Sequence, residues 1–171
     1  MSASLAPRSD FPLLAADPGL HYLDSAATSQ KPAAVLDAIR DFYTSANANP
    51  HRGAYALAAR ATDLYHEARA TIARFVGAAD SDGVIFTRGT TEAMNLVASS
   101  WGRANVRAGD EIVITALEHH ANFVPWQQLA LATGATLRIV ELTPQQTIDL
   151  DHLRSLVTTR TKLVAITHVS N

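Results

Sequence analysis

Ile112-Val113-Ile114, Leu137-Arg138-Ile139-Val140 and Leu163-Val164-Ala165-Ile166 are short apolar runs, each bounded by polar or turn-forming residues. A further run of the same character, Val84-Ile85-Phe86, precedes them. The runs begin 28, 25 and 26 residues apart, close to the roughly 30 residues of a strand–helix–strand unit. Strands buried on both faces read as continuous apolar runs rather than alternating ones. Helical patterns fill the gaps at about 91–104, 122–133 and 150–156. The segments share no residues at matching positions, so the spacing is architectural and not a sequence repeat. The expectation is an α/β fold, a mainly parallel sheet of four strands flanked by helices.

Upstream of these runs the pattern is different. Residues 1–20, with Pro7, Pro12, Pro18 and Gly19, read as an amino-terminal arm with one short helical turn. His21-Tyr22-Leu23 has the character of a brief strand, closed by the turn-forming Asp24-Ser25. A helix is expected from Lys31-Pro32, with proline tolerated in its first turn. Its Val35, Ile39 and Phe42 step by four and three, which predicts one buried face. Residues 47–53 break the periodicity, and a longer Ala-rich helix over about 54–76 is stopped by Gly77.

Composition narrows the function. With 14 Lys and Arg against 16 Asp and Glu the net charge is −2, which gives no electrostatic case for a nucleic-acid or anionic-membrane partner. Apolar residues at 47 % and charged ones at 18 % are the balance of a globular chain. Cysteine is absent, so these residues supply no disulfide, thiolate metal ligand or cysteine nucleophile. No apolar stretch approaches the roughly 20 residues of a membrane span. A soluble protein of the cytoplasm is expected.

In a parallel sheet of this kind ligands collect beyond the carboxyl ends of the strands. After the first run comes Thr87-Arg88-Gly89-Thr90-Thr91-Glu92. Thr90 and Thr91 offer hydroxyls and N–H groups at a helix start, where the macrodipole favours an anion. The same residues also make an ordinary threonine cap after a glycine turn. After the second run comes Thr115-Ala116-Leu117-Glu118-His119-His120-Ala121-Asn122. Adjacent histidines do not share a metal readily, and no HExxH or similar spacing occurs. One imidazole can stack on a planar ligand or transfer a proton, or both can be polar loop residues. Asn171 follows the fourth run and offers one donor and one acceptor. In the irregular loop His51-Arg52-Gly53, Arg52 suits a carboxylate or phosphate, or the loop is merely a helix-start turn. Asp24-Ser25-Ala26-Ala27 carries the same ambiguity.

Taken in order, Tyr22-Leu23-Asp24-Ser25-Ala26-Ala27, Asn49-Pro50-His51-Arg52-Gly53, Thr87-Arg88-Gly89-Thr90-Thr91-Glu92, Glu118-His119-His120-Ala121-Asn122 and Thr167-His168-Val169-Ser170-Asn171 form a series. It resembles the amino-terminal part of cysteine desulfurases of the class V aminotransferase group, in particular the SufS/CsdA type. Ser100-Trp101-Gly102-Arg103 and Arg107-Ala108-Gly109-Asp110 are similar to that family's connecting helix and loop. The resemblance runs from about Asp10 to Asn171 and implies a fold-type I enzyme that uses pyridoxal 5'-phosphate (PLP). It further implies that Thr90 and Thr91 bind the phosphate. His119 would stack on the pyridine ring and move a proton, and Asn171 would bond the ring's phenolic oxygen. Ala26 and His51 would line the substrate side, with Arg52 near a mouth shared across a homodimer. Residues 21–171 are then part of a PLP-binding large domain, whose carboxy-terminal part and companion small domain are expected outside this sequence.

The implied activity is conversion of L-cysteine to L-alanine, with sulfur leaving as a persulfide for a SufE-like or scaffold acceptor in iron–sulfur cluster assembly. Such chemistry needs a lysine for the Schiff base and a cysteine to take the sulfur. The chain has only Lys31 and Lys162, neither in the family's Ser-x-His-Lys context, and no cysteine. Alone it is expected to be inactive. Selenocysteine lyases and other class V enzymes share much of this half and remain alternatives. A non-catalytic interaction module that pairs with a second half is a third.

Overall fold

The computed structural model describes residues 6–51 and 53–170. Contacts divide the chain into two units, one running to Ile85 and the other starting at Phe86.

The first unit is helical. A 3-10 turn, Arg8–Asp10, leads into α1 (Pro12–Ala16). Arg8 ties this arm down, its guanidinium donating to the carbonyls of Leu14, Asp17 and Leu20 at 2.8–3.0 Å. Residues 21–23 form no strand. Instead the Tyr22 hydroxyl donates to the carbonyls of Asp24 and Thr28 and folds the segment into a turn. A three-residue run cannot hold a strand by itself, since a strand exists only where a neighbour takes its amides and carbonyls. The helix expected at Lys31-Pro32 is α2 (Ala33–Ser45), with Pro32 as its cap residue. Its apolar stripe is not buried as expected, because Val35 and Ile39 are 42 % and 51 % exposed. Periodicity identifies the apolar face, and tertiary contacts decide what covers it. α3 (Ala56–Val76) ends at Gly77, whose φ of 69° is the left-handed conformation that closes a helix.

The second unit holds the sheet. α4 (Thr90–Val97) runs into a π-turn, Ala98–Gly102, and then α5 (Arg103–Asn105), so the single helix expected over 91–104 is interrupted. At the interruption Gly102 lies against Leu129, and a Cβ there would sit 2.6 Å from a Leu129 methyl. β1 (Glu111–Thr115) leads through a 3-10 turn, His120–Asn122, to α6 (Val124–Thr133). β2 (Thr136–Val140), α7 (Leu150–Leu156) and β3 (Thr161–Ala165) follow. α7 covers the span expected for it because Asp149 caps it, accepting the N–H groups of Asp151 and His152.

The sheet is parallel, in the order β2-β1-β3, with Ile112 opposite Leu137 on one side and Leu163 on the other. The parallel architecture expected from sequence is present, with three strands where four were anticipated. Val84-Ile85-Phe86 stays outside the sheet. Its backbone turns locally, Val84 N–H donating to Ser81 and Val84 carbonyl accepting from Arg69 Nε. β1 already has a partner on each side. Beneath the sheet Ile112, Ile114, Trp126 and Leu129 form the core with Ala98 and Val106. Among the described residues no helix is long and apolar enough to cross a membrane.

β1 is buried along its whole length, including Glu111, which is 2 % exposed. One Glu111 oxygen accepts from Arg138 on β2 at 3.0 Å and from Arg160 at 2.8 Å. The other accepts the Thr158 hydroxyl at 2.8 Å. The Thr158 bond, then the Arg138 bond and the charges of both arginines hold this carboxyl below its ordinary value near 4.5, against the opposing effect of burial. A carboxyl whose folded value is lowered stabilises the fold above the ordinary range, and that contribution is lost as pH falls through the folded value. Glu111→Gln should therefore lower the thermal midpoint at pH 7. Melting the two proteins from pH 7 down to pH 3 should show the gap narrowing below about pH 4.5.

Candidate functional site

α4 begins without a side-chain cap: Gly89 precedes it, and the first helical bond runs from Ala93 N–H to the Gly89 carbonyl. The N–H groups of Thr90, Thr91 and Glu92 consequently have no acceptor among the described residues, and neither Thr90 nor Thr91 spends its hydroxyl on a protein partner. Both threonines are exposed, and a Cβ at Gly89 would meet nothing within 4 Å. Three open amides and two hydroxyls at the positive end of a helix are what a phosphate takes. A carboxylate in the same first turn, Glu92, would oppose an anion. It is turned back instead, accepting Arg88 N–H at 2.6 Å and the Arg88 guanidinium at 3.2 and 3.3 Å. The Arg88 backbone bond first, then its side chain, lowers the Glu92 pKa, so the charge persists and Arg88 offsets it.

His119 follows β1 and is exposed. Its backbone is extended, with φ −63° and ψ 149°, and its Nδ1 accepts Ala121 N–H at 3.1 Å. With Nδ1 acting as acceptor the neutral ring carries its proton on Nε2. The 3-10 turn that follows packs against α4, so the imidazole and the open helix start belong to one neighbourhood. His120 is a ring neighbour at 6.1 Å, tilted by 60°. Among the described residues no cluster of three or more His, Asp or Glu is placed to hold a metal.

The residues expected on the substrate side lie in the first unit. Ala26 sits in the exposed turn in which Thr28 N–H donates to the Asp24 carbonyl. His51 adopts φ +70°, uncommon for a residue with a Cβ. Its amide donates to Thr62 Oγ1 at 2.8 Å, and its ring meets Tyr65 and His66 edge-on at 5.4 and 5.1 Å. Arg52 and Asn171 lie outside the described residues.

Sequence reasoning did not assign the groups that build the frame around His119. Glu118 Oε1 accepts the Thr115 hydroxyl at 2.6 Å and Thr167 N–H at 2.9 Å. Its Oε2 accepts Asn122 Nδ2 at 2.7 Å, and Asn122 Oδ1 accepts the buried Trp126 indole at 2.9 Å. The signal was present as Glu118, Asn122 and Trp126 at intervals of four, the spacing of one helical face.

The sequence matches the aminotransferase class-V family model over residues 21–171. The chain belongs to the class-V aminotransferase family. A probable cysteine desulfurase of Synechocystis is 49 % identical, covering 99 % of this chain and 41 % of that protein. The apo structure of a cysteine desulfurase from Thermococcus onnurineus superposes with a TM-score of 0.87 at 37 % identity, covering all of this chain and 42 % of that one. A lysine-to-alanine mutant of C-DES, with glycine covalently linked to its PLP cofactor, is 25 % identical with a TM-score of 0.75, over 96 % and 41 % of the two chains. The chain thus spans about two fifths of the length of the curated relative it matches.

The His51 loop depends on close packing at Gly53, where a Cβ would fall 2.2 Å from the Cβ of buried Ala58 and 2.7 Å from the Tyr55 ring. The Tyr55 ring can swing aside, but the Ala58 Cβ is fixed to the backbone of α3 and cannot yield cheaply. Gly53→Ala should destabilise the first unit by about 1–3 kcal/mol, measured as a lower urea midpoint of the helical circular dichroism signal.

Proposed function

We propose that this chain supplies the phosphate cradle and one ring-facing group of a PLP-dependent cysteine desulfurase. The observation that carries the reading is the uncapped start of α4, with three amides and two hydroxyls unspent beside an exposed imidazole. The family membership and the cysteine desulfurase names among its relatives support the same conclusion. When bound, PLP supplies an electron sink for the substrate's α-carbon.

Thr90, Thr91 and the amide of Glu92 hold the phosphate, and Arg88 keeps the Glu92 carboxylate out of its way. His119 faces the pyridine ring. Because Nδ1 is engaged by Ala121, Nε2 is the atom left to hold or move a proton. The family resemblance assigns Asn171 to the phenolic oxygen and Ala26, His51 and Arg52 to the substrate side. On this reading L-cysteine is the substrate, a SufE-like or scaffold protein accepts the sulfur, the active assembly is a homodimer, and the setting is cytoplasmic.

The lysine amine and the cysteine thiol are not supplied by these residues. Lys31 is exposed and donates to the Ser29 carbonyl, and Lys162 stands at the amino end of β3, opposite the strand ends that carry the site. The 171-residue chain mixed with PLP and L-cysteine should therefore release no alanine above a protein-free control. Binding should survive that loss. Titrating pyridoxal phosphate or inorganic phosphate into the isotope-labelled chain should shift the amide resonances of Thr90, Thr91 and Glu92. A hydrogen bond to a charged group contributes about 1.5–3 kcal/mol, so Thr91→Val should weaken this binding roughly tenfold or more. Unmoved amides at millimolar ligand would refute the cradle.

A further inference from the structure

Every group that meets the Glu118 carboxylate is a donor. Thr167 presents a backbone N–H, Asn122 an amide NH2, and Thr115 a hydroxyl whose own oxygen already accepts Leu117 N–H at 3.3 Å. The Asn122 orientation is fixed chemically, since the indole of Trp126 can only donate and the carboxylate only accept. A side chain with acceptors on both oxygens and no N–H is therefore required. These three donors come from the last residue of β1, from the turn after His119 and from the segment that follows β3. Ser170 Oγ adds a second tie, donating to the Leu117 carbonyl at 3.3 Å. Through Asn122 the same carboxylate reaches Trp126, which is 2 % exposed and part of the core.

We propose that Glu118 is the positioning residue of the site. Its carboxylate locks the loop after β1 to the segment after β3 and so fixes the imidazole of His119 relative to both. The His119 ring's own bond, to Ala121, lies within the turn itself and ties it to neither segment. The inference rests on the role proposed above for His119, and it adds a residue that acts on the ligand only through another.

The test uses the full chain with Glu118→Gln, which keeps size but places an NH2 against donors. Thr167 and Ala121 amides and the Trp126 indole N–H should shift and exchange at least tenfold faster. The His119 ring nitrogens should lose the pattern of an Nδ1 acceptor, while Val113 and Ile139 amides keep their protection. Unchanged His119 and Thr167 signals would overturn the proposal. So would a loss of protection spread evenly over β1 and β2, which marks a merely structural role. If Glu118→Gln does not fold, Asn122→Ala removes one donor, and His119 ring signals unchanged in that variant would overturn the proposal equally. Phosphate titration of the wild-type chain is read at Thr90 and Thr91, so failure of the cofactor reading shows there and is separable from failure at Glu118.

Discussion

The second unit is organised by a constraint on one strand. β1 is paired on both sides and its five residues are buried, so every polar group it carries must find a partner inside the protein. Its apolar middle needs none beyond the ladder. Its two ends are different: Glu111 opens the strand with a carboxylate, and Thr115 closes it with a hydroxyl. The fold answers at each end with a carboxylate hub. Glu111 gathers Arg138, Thr158 and Arg160 at the amino end, and Glu118 gathers Thr115, Asn122 and Thr167 at the carboxyl end. A buried carboxylate left unpaired would be strongly unfavourable. Each hub therefore also specifies which segments must stand next to β1.

The two hubs have different chemistry because they face different tasks. At the amino end the donors are two guanidinium groups and a hydroxyl, so charge is balanced by charge. At the carboxyl end the donors are neutral: a hydroxyl, a side-chain amide and a backbone N–H. The positive end of a helix lies at Thr90, where Arg88 and Glu92 are paired with each other.

Local rules made much of this visible beforehand. Gly77 marked a helix end through backbone chemistry that depends on a few neighbouring residues, and α7 has the bounds its pattern predicts. The apolar runs at 112, 137 and 163 became strands because each holds a hydrogen-bonded neighbour in the ladder. Strand formation is a property of a pair, and the run at 84 and the segment at 21 lie outside the β2-β1-β3 ladder. The same distinction governs the site. The candidates Thr90, Thr91 and His119 were chosen from a helix start and a strand end, and the structure places them at those positions. The hubs join residues 47 and 49 positions apart, as in Thr158 with Glu111 and Thr167 with Glu118, and no local pattern announces such contacts.

This separation explains how one stretch of chain can hold binding groups without the reacting ones. A phosphate cradle at a helix start is built from main-chain amides of consecutive residues, so forming α4 is enough to form it. Placing an imidazole needs more, a strand, a turn and the Glu118 bridge, yet all of these fall within residues 111–167. A covalent amine needs a lysine brought to the carboxyl end of the strands, and neither lysine here can arrive. Lys31 is committed to its own turn, and Lys162 lies one strand length away from Thr167. Binding and orientation are thus set by short-range and sheet-level contacts inside the described residues. Bond making depends on a residue type whose position those contacts do not provide, and for that reason the proposed cofactor binding is separable from turnover in this chain.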